Sequence, residues 1–362
     1  MMGMRLQNIW QKYKTNLLTY GTVTVAFLVL QILSSQDMLS RSTQGYLVPI
    51  CAYIVMAVSL NLVVGVSGEL SLGHAGFMGV GAFVGVVISG SLKGAVDSDA
   101  LRLVLSMVGG GLMAGVAGVI IGVPVLRLRG DYLAIVTLAF GEILKNIIGN
   151  IYIGKDATGL HFAMSAGGVS LEEGGTMLLK GPMGATGIEK LSSFTAGFLL
   201  ILFTLFVVLN LINSKEGRAI KAIRDNRIAA ECVGIHVTTF KLKAFVVASV
   251  LAGMAGALFA QNYSAITADK FDFTNSINIL VFVVLGGMGN ILGSVISATV
   301  LYLLPELLRG LQDLRMILYA VVLIVVMLCT WSPQVKGKMQ VVRLWLGKQK
   351  NKIFRKGAAD HA

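Results

Sequence analysis

Phe194 to Ile212 reads FTAGFLLILFTLFVVLNLI, an apolar stretch without a charged side chain. A helix of about 20 such residues is long enough to cross roughly 30 Å of hydrocarbon. Directly after it the chain turns basic, with SKEGRAIKAIRDNR from Ser214 to Arg227. An apolar segment followed by a positively charged one is typical of a membrane-spanning helix that ends at the cytoplasmic face.

Apolar stretches of the same kind recur along the whole chain and are separated by short polar segments. Of 362 residues, 55% are hydrophobic and only 13% are charged, about half the charged fraction of an average soluble domain. Too few charges are therefore present for a water-soluble surface, and the sequence predicts an all-α, polytopic membrane helical bundle. We predict about ten transmembrane helices, with eight as the alternative, at residues 17–33, 46–64, 70–89, 103–126, 132–153, 194–212, 243–263, 275–287, 291–308 and 316–331.

The 30 lysines and arginines are distributed unevenly, and their distribution predicts the orientation of the chain. Most of them lie before the first span, at 127–129, at 215–243 and after Pro333. Lys and Arg stay on the cytoplasmic side during insertion, so both termini and the segment at 215–243 are expected inside. Because this asymmetry accounts for the net charge of +12, no nucleic-acid partner is predicted.

The polar segments divide the chain into a transmembrane domain and two basic ends. We predict a cytoplasmic N-terminus at 1–16, a transmembrane domain at 17–332 and a cytoplasmic tail at 333–362. The tail either binds anionic membrane lipid or is disordered. The transmembrane domain includes a cytoplasmic loop at 213–242 and an external loop at 154–193, which is long enough to carry local structure or to contact a partner.

The cytoplasmic loop has the pattern of a short amphipathic helix followed by a turn. Arg218, Lys221 and Arg224 recur every three residues with isoleucines between them, and Gly234 is expected to end the helix. Such a helix and turn, joined to the next span, could transmit a push from a cytoplasmic partner. An ordinary charged inner loop is the alternative.

A few polar residues at membrane depth are candidates for a solute path, because an unpaired charge there costs about 3 kcal/mol. His74 lies in the glycine-rich stretch GHAGFMGVG, where Gly73 and Gly76 leave bare backbone that could approach a solute. The alternative for His74 is a packed side chain that is hydrogen-bonded within the bundle. Glu142 either lines the path or pairs with Lys145 on its own helix.

Pairs of glycines four residues apart predict faces where neighbouring helices approach closely. They are Gly81 and Gly85, Gly111 and Gly115, Gly118 and Gly122, and Gly289 and Gly293.

Two acidic residues lie near the ends of predicted spans. Glu69 is expected near the inner interface, in a helix cap or a contact between subunits, and Asp131 is expected to begin a helix, where its negative charge suits the N-terminal dipole.

Four strings resemble, in the same order, those of the longer permease subunit of the high-affinity branched-chain amino acid ABC importers, and the resemblance runs from about residue 46 to 331. They are SGELSLGHA at 67–75, LRGDYLA at 128–134, EGR at 216–218 and LGGMGN at 285–290. Ala229, Ala230 and Gly234 also resemble the loop by which ABC importer permeases dock on their ATPase subunits, although Ile228 stands where that loop carries an acidic residue.

The resemblance implies a multi-pass subunit of a bacterial cytoplasmic-membrane importer that carries an aliphatic, branched-chain amino acid. Its implied partners are a homologous second permease, two ATPase subunits and an extracytoplasmic substrate-binding protein. ATP and Mg²⁺ would act on the ATPase subunits, and this chain would bind no cofactor and no metal, consistent with the lack of a phosphate-binding loop motif and of metal-ligand spacing. The implied coupling residues are Glu216, Gly217, Arg218, Ala229, Ala230 and Gly234.

Other transport functions remain open at this point. A permease for urea or short amides would have a similar sequence, and a secondary transporter working alone would use Glu142 or His74 for its coupling ion. A membrane enzyme is poorly supported, because no nucleophile, metal or paired-carboxylate pattern emerges.

Overall fold

The computed structural model describes most of the membrane region and leaves both basic ends outside. The described residues are 19–33, 41–128, 130–156, 159–165, 168, 175–308 and 314–331. The predicted N-terminal segment 1–16 and tail 333–362 therefore lie outside the described residues. By its contacts the chain divides into two units, Met1–Val300 and Leu301–Ala362.

Helices make up nearly all of the described chain. The first unit holds α1 Thr19–Leu33, α2 Arg41–Asn61, α3 His74–Ser91, α4 Asp99–Val125, α5 Asp131–Gly149, α6 Phe194–Asn213, α7 Lys215–Asp225, α8 Arg227–Cys232, α9 Val237–Ala260 and α10 Phe273–Gly286. The boundary between the units falls within α11 Ile291–Leu307, and the second unit contains α12 Arg315–Trp331.

The predicted polytopic helical bundle is confirmed, since a helix corresponds to each of the ten predicted spans. Six helical segments are long and apolar enough to cross a membrane, judged by length and composition within the described residues: Gln44–Ser67, His74–Ser91, Asp99–Val125, Asp131–Gly149, Phe194–Asn213 and Val237–Ala260. The total of ten spans and the cytoplasmic placement of both termini stay predictions.

Several predicted boundaries differ from the structure by a few residues, and three of the differences have a clear local reason. The third span begins at His74 and not at residue 70, because Gly68 has the left-handed φ of 75° and starts a loop. The fifth ends at Gly149, before a strand begins at Tyr152. The helix predicted from 243 begins at Val237, within the segment 213–242 that the sequence predicts as a cytoplasmic loop. The polar first turns of this helix, which the sequence predicts as loop, form regular helix.

Small residues hold the centre of the bundle together, as the spaced glycines predict. In the most apolar part of segment Gln44–Ser67 94% of the residues are buried, whereas in α5 only 22% are. A Cβ atom on Gly81 of α3 would lie 2.1 Å from the carbonyl oxygen of Gly253 of α9, and one on Gly110 of α4 would lie 2.6 Å from the carbonyl oxygen of Gly81. Helices α3, α4 and α9 therefore touch through their backbones.

A small antiparallel sheet forms in and beside the predicted external loop. Its strands are β1 Tyr152–Lys155, β2 Leu160–Ala163, β3 Thr176–Lys180, β4 Ala185–Thr186 and β5 Ala265–Ile266, in the order β2-β1-β3-β4-β5. Helix α6 begins after β4 and ends beside α7, and α9 runs back to β5. The sheet and the α7–α8 pair therefore lie at opposite ends of the bundle.

Candidate functional site

The predicted amphipathic helix is present as α7, and its apolar side is buried at Ile220 and Ile223. Ser214 caps its start by accepting a hydrogen bond from the Gly217 N–H at 3.1 Å. Asn226, whose backbone is extended, ends α7 and caps α8 by accepting from the Ala229 N–H at 3.0 Å. The segment is thus two short helices and not one.

The predicted break at Gly234 is also present. Gly234 has a φ of 83°, a left-handed conformation that suits glycine, and the Ile235 N–H donates to the Ala230 carbonyl at 3.0 Å. Ile223, Ala230 and Val237 form a buried cluster around this turn. The turn therefore fixes α8 against the start of α9.

The predicted coupling residues lie at different depths in this segment. Ala230 is buried, whereas Arg218 and Ala229 are exposed. A Cβ on Gly217 would lie 2.2 Å from the Leu211 carbonyl oxygen, so only glycine fits the tight passage from α6 to α7. Glu216 forms an ion pair with Lys243 of α9.

One side chain of α7 reaches into the membrane bundle. Helix α2 continues into a buried π-helical turn, Leu62–Ser67, and Arg224 Nη1 donates to the Gly65 carbonyl oxygen in this turn at 2.7 Å. The carbonyls at a helix C-terminus lack intrahelical partners and carry partial negative charge, which a guanidinium satisfies. The Arg224 side chain also passes directly over Gly68, where a Cβ would lie 2.6 Å from Arg224 Cγ.

A second ion pair joins the same end of α2 to α9. Glu69 pairs with Lys241, and their side chains are only 13% and 11% exposed. Glu69 therefore contacts its own chain in this structure, although the sequence favoured a helix cap or a contact between subunits. With Arg224, this pair attaches both α7 and α9 to the π-helical turn.

Asn61 connects the π-helical turn to the loop between α10 and α11. Its side-chain oxygen accepts from the Gly289 N–H at 2.7 Å, and its amide nitrogen donates to the Asn290 carbonyl at 3.2 Å and to Ser294 Oγ at 2.7 Å. The sequence interpretation missed Asn61. A buried amide within an apolar span was the available signal, since such groups are hydrogen-bonded to specific partners.

His74 takes the packed arrangement that was the alternative to a solute path. It is 1% exposed, and its Nε2 lies 2.8 Å from Ser59 Oγ. A Cβ on Gly73 would lie 2.0 Å from the Thr137 carbonyl oxygen, and one on Gly76 would lie 3.0 Å from the Gly141 Cα. Both glycines therefore allow α3 and α5 to touch, and a solute-lining role for these three residues stays a prediction.

Glu142 likewise has protein partners on two sides. It lies 2.6 Å from Lys145, as the helical spacing predicts, and it accepts from the Phe273 N–H at the start of α10 at 3.0 Å. No hydrogen bond joins Glu142 to His74 in the described chain. Within the same residues, no group of three or more His, Cys, Asp or Glu side chains could hold a metal ion.

The chain is similar to known permeases over most of its length. Residues 42–328 match the family described as branched-chain amino acid transport system / permease component. No solved structure matches the chain.

Individual relatives carry transport names. The chain is 34% identical over 325 residues to the high-affinity branched-chain amino acid transport system permease protein LivM of Escherichia coli strain K12, covering 86% of this chain and 73% of that protein. The LivM of Salmonella typhimurium is 33% identical over 312 residues, covering 82% and 70%. The L-arabinose ABC transporter permease protein AraH of Azospirillum brasilense is 29% identical over 261 residues, covering 71% and 67%.

Proposed function

We propose that this chain, which belongs to the permease-component family of branched-chain amino acid transport systems, forms the membrane path by which an ABC-type importer carries branched-chain amino acids. Two relatives at 33–34% identity, which share most of their length with this chain, are named for that solute class. The mechanism is conformational: the chain alternates the access of the path and forms no covalent intermediate.

The attachment of Arg224 to the Gly65 carbonyl supports coupling through α7 and α8. A displacement of α7 acts directly on the end of α2, because the guanidinium and the Glu69–Lys241 pair both hold that end. From there Asn61 carries the displacement to the loop before α11. In this proposal an ATPase subunit presses on the segment from Glu216 to Gly234, and the bundle responds through these bonds.

The remaining parts of the importer are proposed from the same family membership. They are a homologous second permease, two ATPase subunits that use ATP and Mg²⁺, and an extracytoplasmic substrate-binding protein. This chain then binds no cofactor, performs no hydrolysis and resides in a bacterial cytoplasmic membrane. The names of the relatives support this arrangement, because they describe a transport system and an ABC transporter.

Reconstitution of the complete importer in liposomes tests the function. With ATP on the ATPase side, we expect saturable uptake of labelled leucine, and much weaker uptake of labelled urea or L-arabinose. Omission of the ATPase subunits is expected to abolish uptake. Uptake by the lone chain driven by a pH or sodium gradient would instead identify a secondary transporter, and preferential urea or arabinose uptake would reassign the solute.

A further inference from the structure

A cavity of about 330 Å³ lies at the sheet end of the bundle. It is bounded by the end of α3, the first turns of α4, strand β3 and residues 186–189. Its volume is at the lower end of the range of about 300–1,000 Å³ that small-molecule sites occupy. Its lining combines three charged residues, Lys93, Arg102 and Glu189, with the aliphatic residues Val86, Leu178 and Ile188.

Arg102 is the most deeply placed charge of this cavity. Its side chain is only 8% exposed, and its Nη2 donates to the Ser89 carbonyl at 3.2 Å and to Glu189 Oε2 at 2.7 Å. Its Nε is buried and has no hydrogen-bond partner in the described chain. A buried donor without an acceptor is costly, so Arg102 is a charge whose hydrogen-bonding capacity the described chain does not fully use.

The charges of the lining favour a carboxylate. Lys93 Nζ lies 2.8 Å from Glu189 Oε1, so two cations share one anion. Hydrogen bonds from Lys93, the larger cause, and from Arg102 hold the pKa of the Glu189 carboxyl below its ordinary value. The carboxyl therefore stays ionised. Asp99 lies 3.5 Å from Arg102 Nη1 but is 73% exposed, so solvent screens its charge.

We propose that this cavity binds a small aliphatic carboxylate, of which the branched-chain amino acid of the proposed function is one. The ligand carboxylate is held by Arg102 and Lys93, and the α-ammonium group of an amino acid is held by Glu189. The branched side chain lies against Val86, Leu178 and Ile188. This assignment rests on the proposed function and adds to it a site at the end of the bundle that the sequence places outside the cell.

Equilibrium binding to the purified full-length chain in lipid nanodiscs tests the site. Tritiated leucine is expected to bind saturably and to be displaced by unlabelled leucine and by 4-methylpentanoate, which keeps the carboxylate and the branched chain. The amine 3-methylbutylamine, which lacks the carboxylate, is expected not to compete. Absence of leucine binding, or displacement by the amine alone, would overturn the proposal.

Two variants locate the binding. Arg102→Gln removes the charge and Ile188→Trp fills the cavity, and each is expected to weaken leucine binding about tenfold or more, since charge-assisted hydrogen bonds and cavity space are lost. Met183→Trp, at a residue that is 66% exposed and outside the lining, is the control and should bind as the unaltered chain does. Equal binding by all variants with intact size-exclusion profiles would show that leucine binds elsewhere.

Leucine uptake by the complete importer separates the two proposals. Uptake that persists while both cavity variants bind leucine normally contradicts the site and leaves the proposed function standing. Absence of leucine uptake by the importer that contains the unaltered chain contradicts the proposed function itself.

Discussion

Arg224 of α7 donates to the Gly65 carbonyl oxygen across 159 positions of sequence, at 2.7 Å. The bond joins a surface helix to the end of the most buried span of the bundle, Gln44–Ser67. A cation at this position meets the negative end of that span's dipole. The bond is therefore a direct connection between α7 and the interior of the bundle.

Replacement of Arg224 tests this connection. We expect Arg224→Ala to reduce ATP-driven leucine uptake by about tenfold, because a hydrogen bond to a charged group contributes about 1.5–3 kcal/mol. Co-purification of the ATPase subunits should persist, since α7 and α8 keep their caps. Arg224→Lys keeps the charge but lacks the planar donor group. Its uptake should lie between that of Arg224→Ala and that of the unaltered chain. Uptake unchanged in Arg224→Ala would contradict the coupling path.

The turn at Gly234 depends on its backbone conformation. A Cβ there meets no atom within 4 Å, so only the φ of 83° opposes a side chain. We expect Gly234→Val to lower uptake with membrane insertion intact, because a β-branched residue in this conformation costs about 1–2 kcal/mol or more. Gly234→Asn is the matched variant, since Asn tolerates the left-handed region, and it should retain most uptake. Equal effects of Val and Asn would argue against a backbone cause.

The contact between α3 and α9 leaves no room for a methyl group. A Cβ on Gly256 would lie 1.9 Å from the Met78 carbonyl oxygen. We expect Gly256→Ala to destabilise the chain by about 1–3 kcal/mol, the usual cost of overpacking, as a lower melting midpoint in detergent. Gly45→Ala is the control, because a Cβ at Gly45 meets nothing within 4 Å. Similar midpoints for both variants would contradict close packing at Gly256.

Variants of the hydrogen-bonded pair Ser59 and His74 distinguish a packing role of His74 from a role in the solute path. Ser59→Ala leaves a buried imidazole nitrogen without its partner and is expected to destabilise the chain by about 1–3 kcal/mol. His74→Leu combined with Ser59→Ala should cost less than the sum of the single changes. The KM for leucine should not move in variants that remain folded. A raised KM with an unchanged melting midpoint would place His74 in the solute path.

Acid should weaken the attachment of Glu189. Its pKa is lowered in the folded chain by Lys93 and Arg102 from an ordinary value of 4.5. The resulting stability is therefore present above pH 4.5 and is lost as the pH falls through the folded value. Because Glu189 is 38% exposed, we expect an effect within about 1 kcal/mol. The melting midpoint of Glu189→Gln should fall below that of the unaltered chain at pH 7 and approach it in acid. A constant difference across this range would contradict the assignment.

The sequence predicted the helical architecture well, because membrane spans are long and their apolar character is local. It also predicted α7 from the spacing of Arg218, Lys221 and Arg224, and the turn at Gly234. The split at Asn226 was missed although the signal was present, since Asn favours both chain breaks and helix caps. Short strands such as Ala185–Thr186 have no detectable pattern, and their pairing with Ala265–Ile266 joins distant parts of the chain.

The hydrogen bonds within the candidate site could not be predicted from the sequence, for a different reason. Spacing places Arg224 on one face of a helix, but it does not identify Gly65 as the acceptor. The partners of Asn61 could not be predicted either, because they follow it by more than 200 positions. Packing of glycine-rich helices brings these groups together, and that packing is a property of the whole bundle.

Helix α9 runs without a proline from Val237, beside the α7–α8 pair, to Ala260, just before β5. At about 1.5 Å per residue, it is a continuous helix about 36 Å long. A ligand, antibody or lipid that shifts the sheet would thus also move the opposite end of α9, at Val237. Within the first unit, helix α9 therefore links the α7–α8 pair to the sheet, and a molecule that immobilises either end should restrain the other.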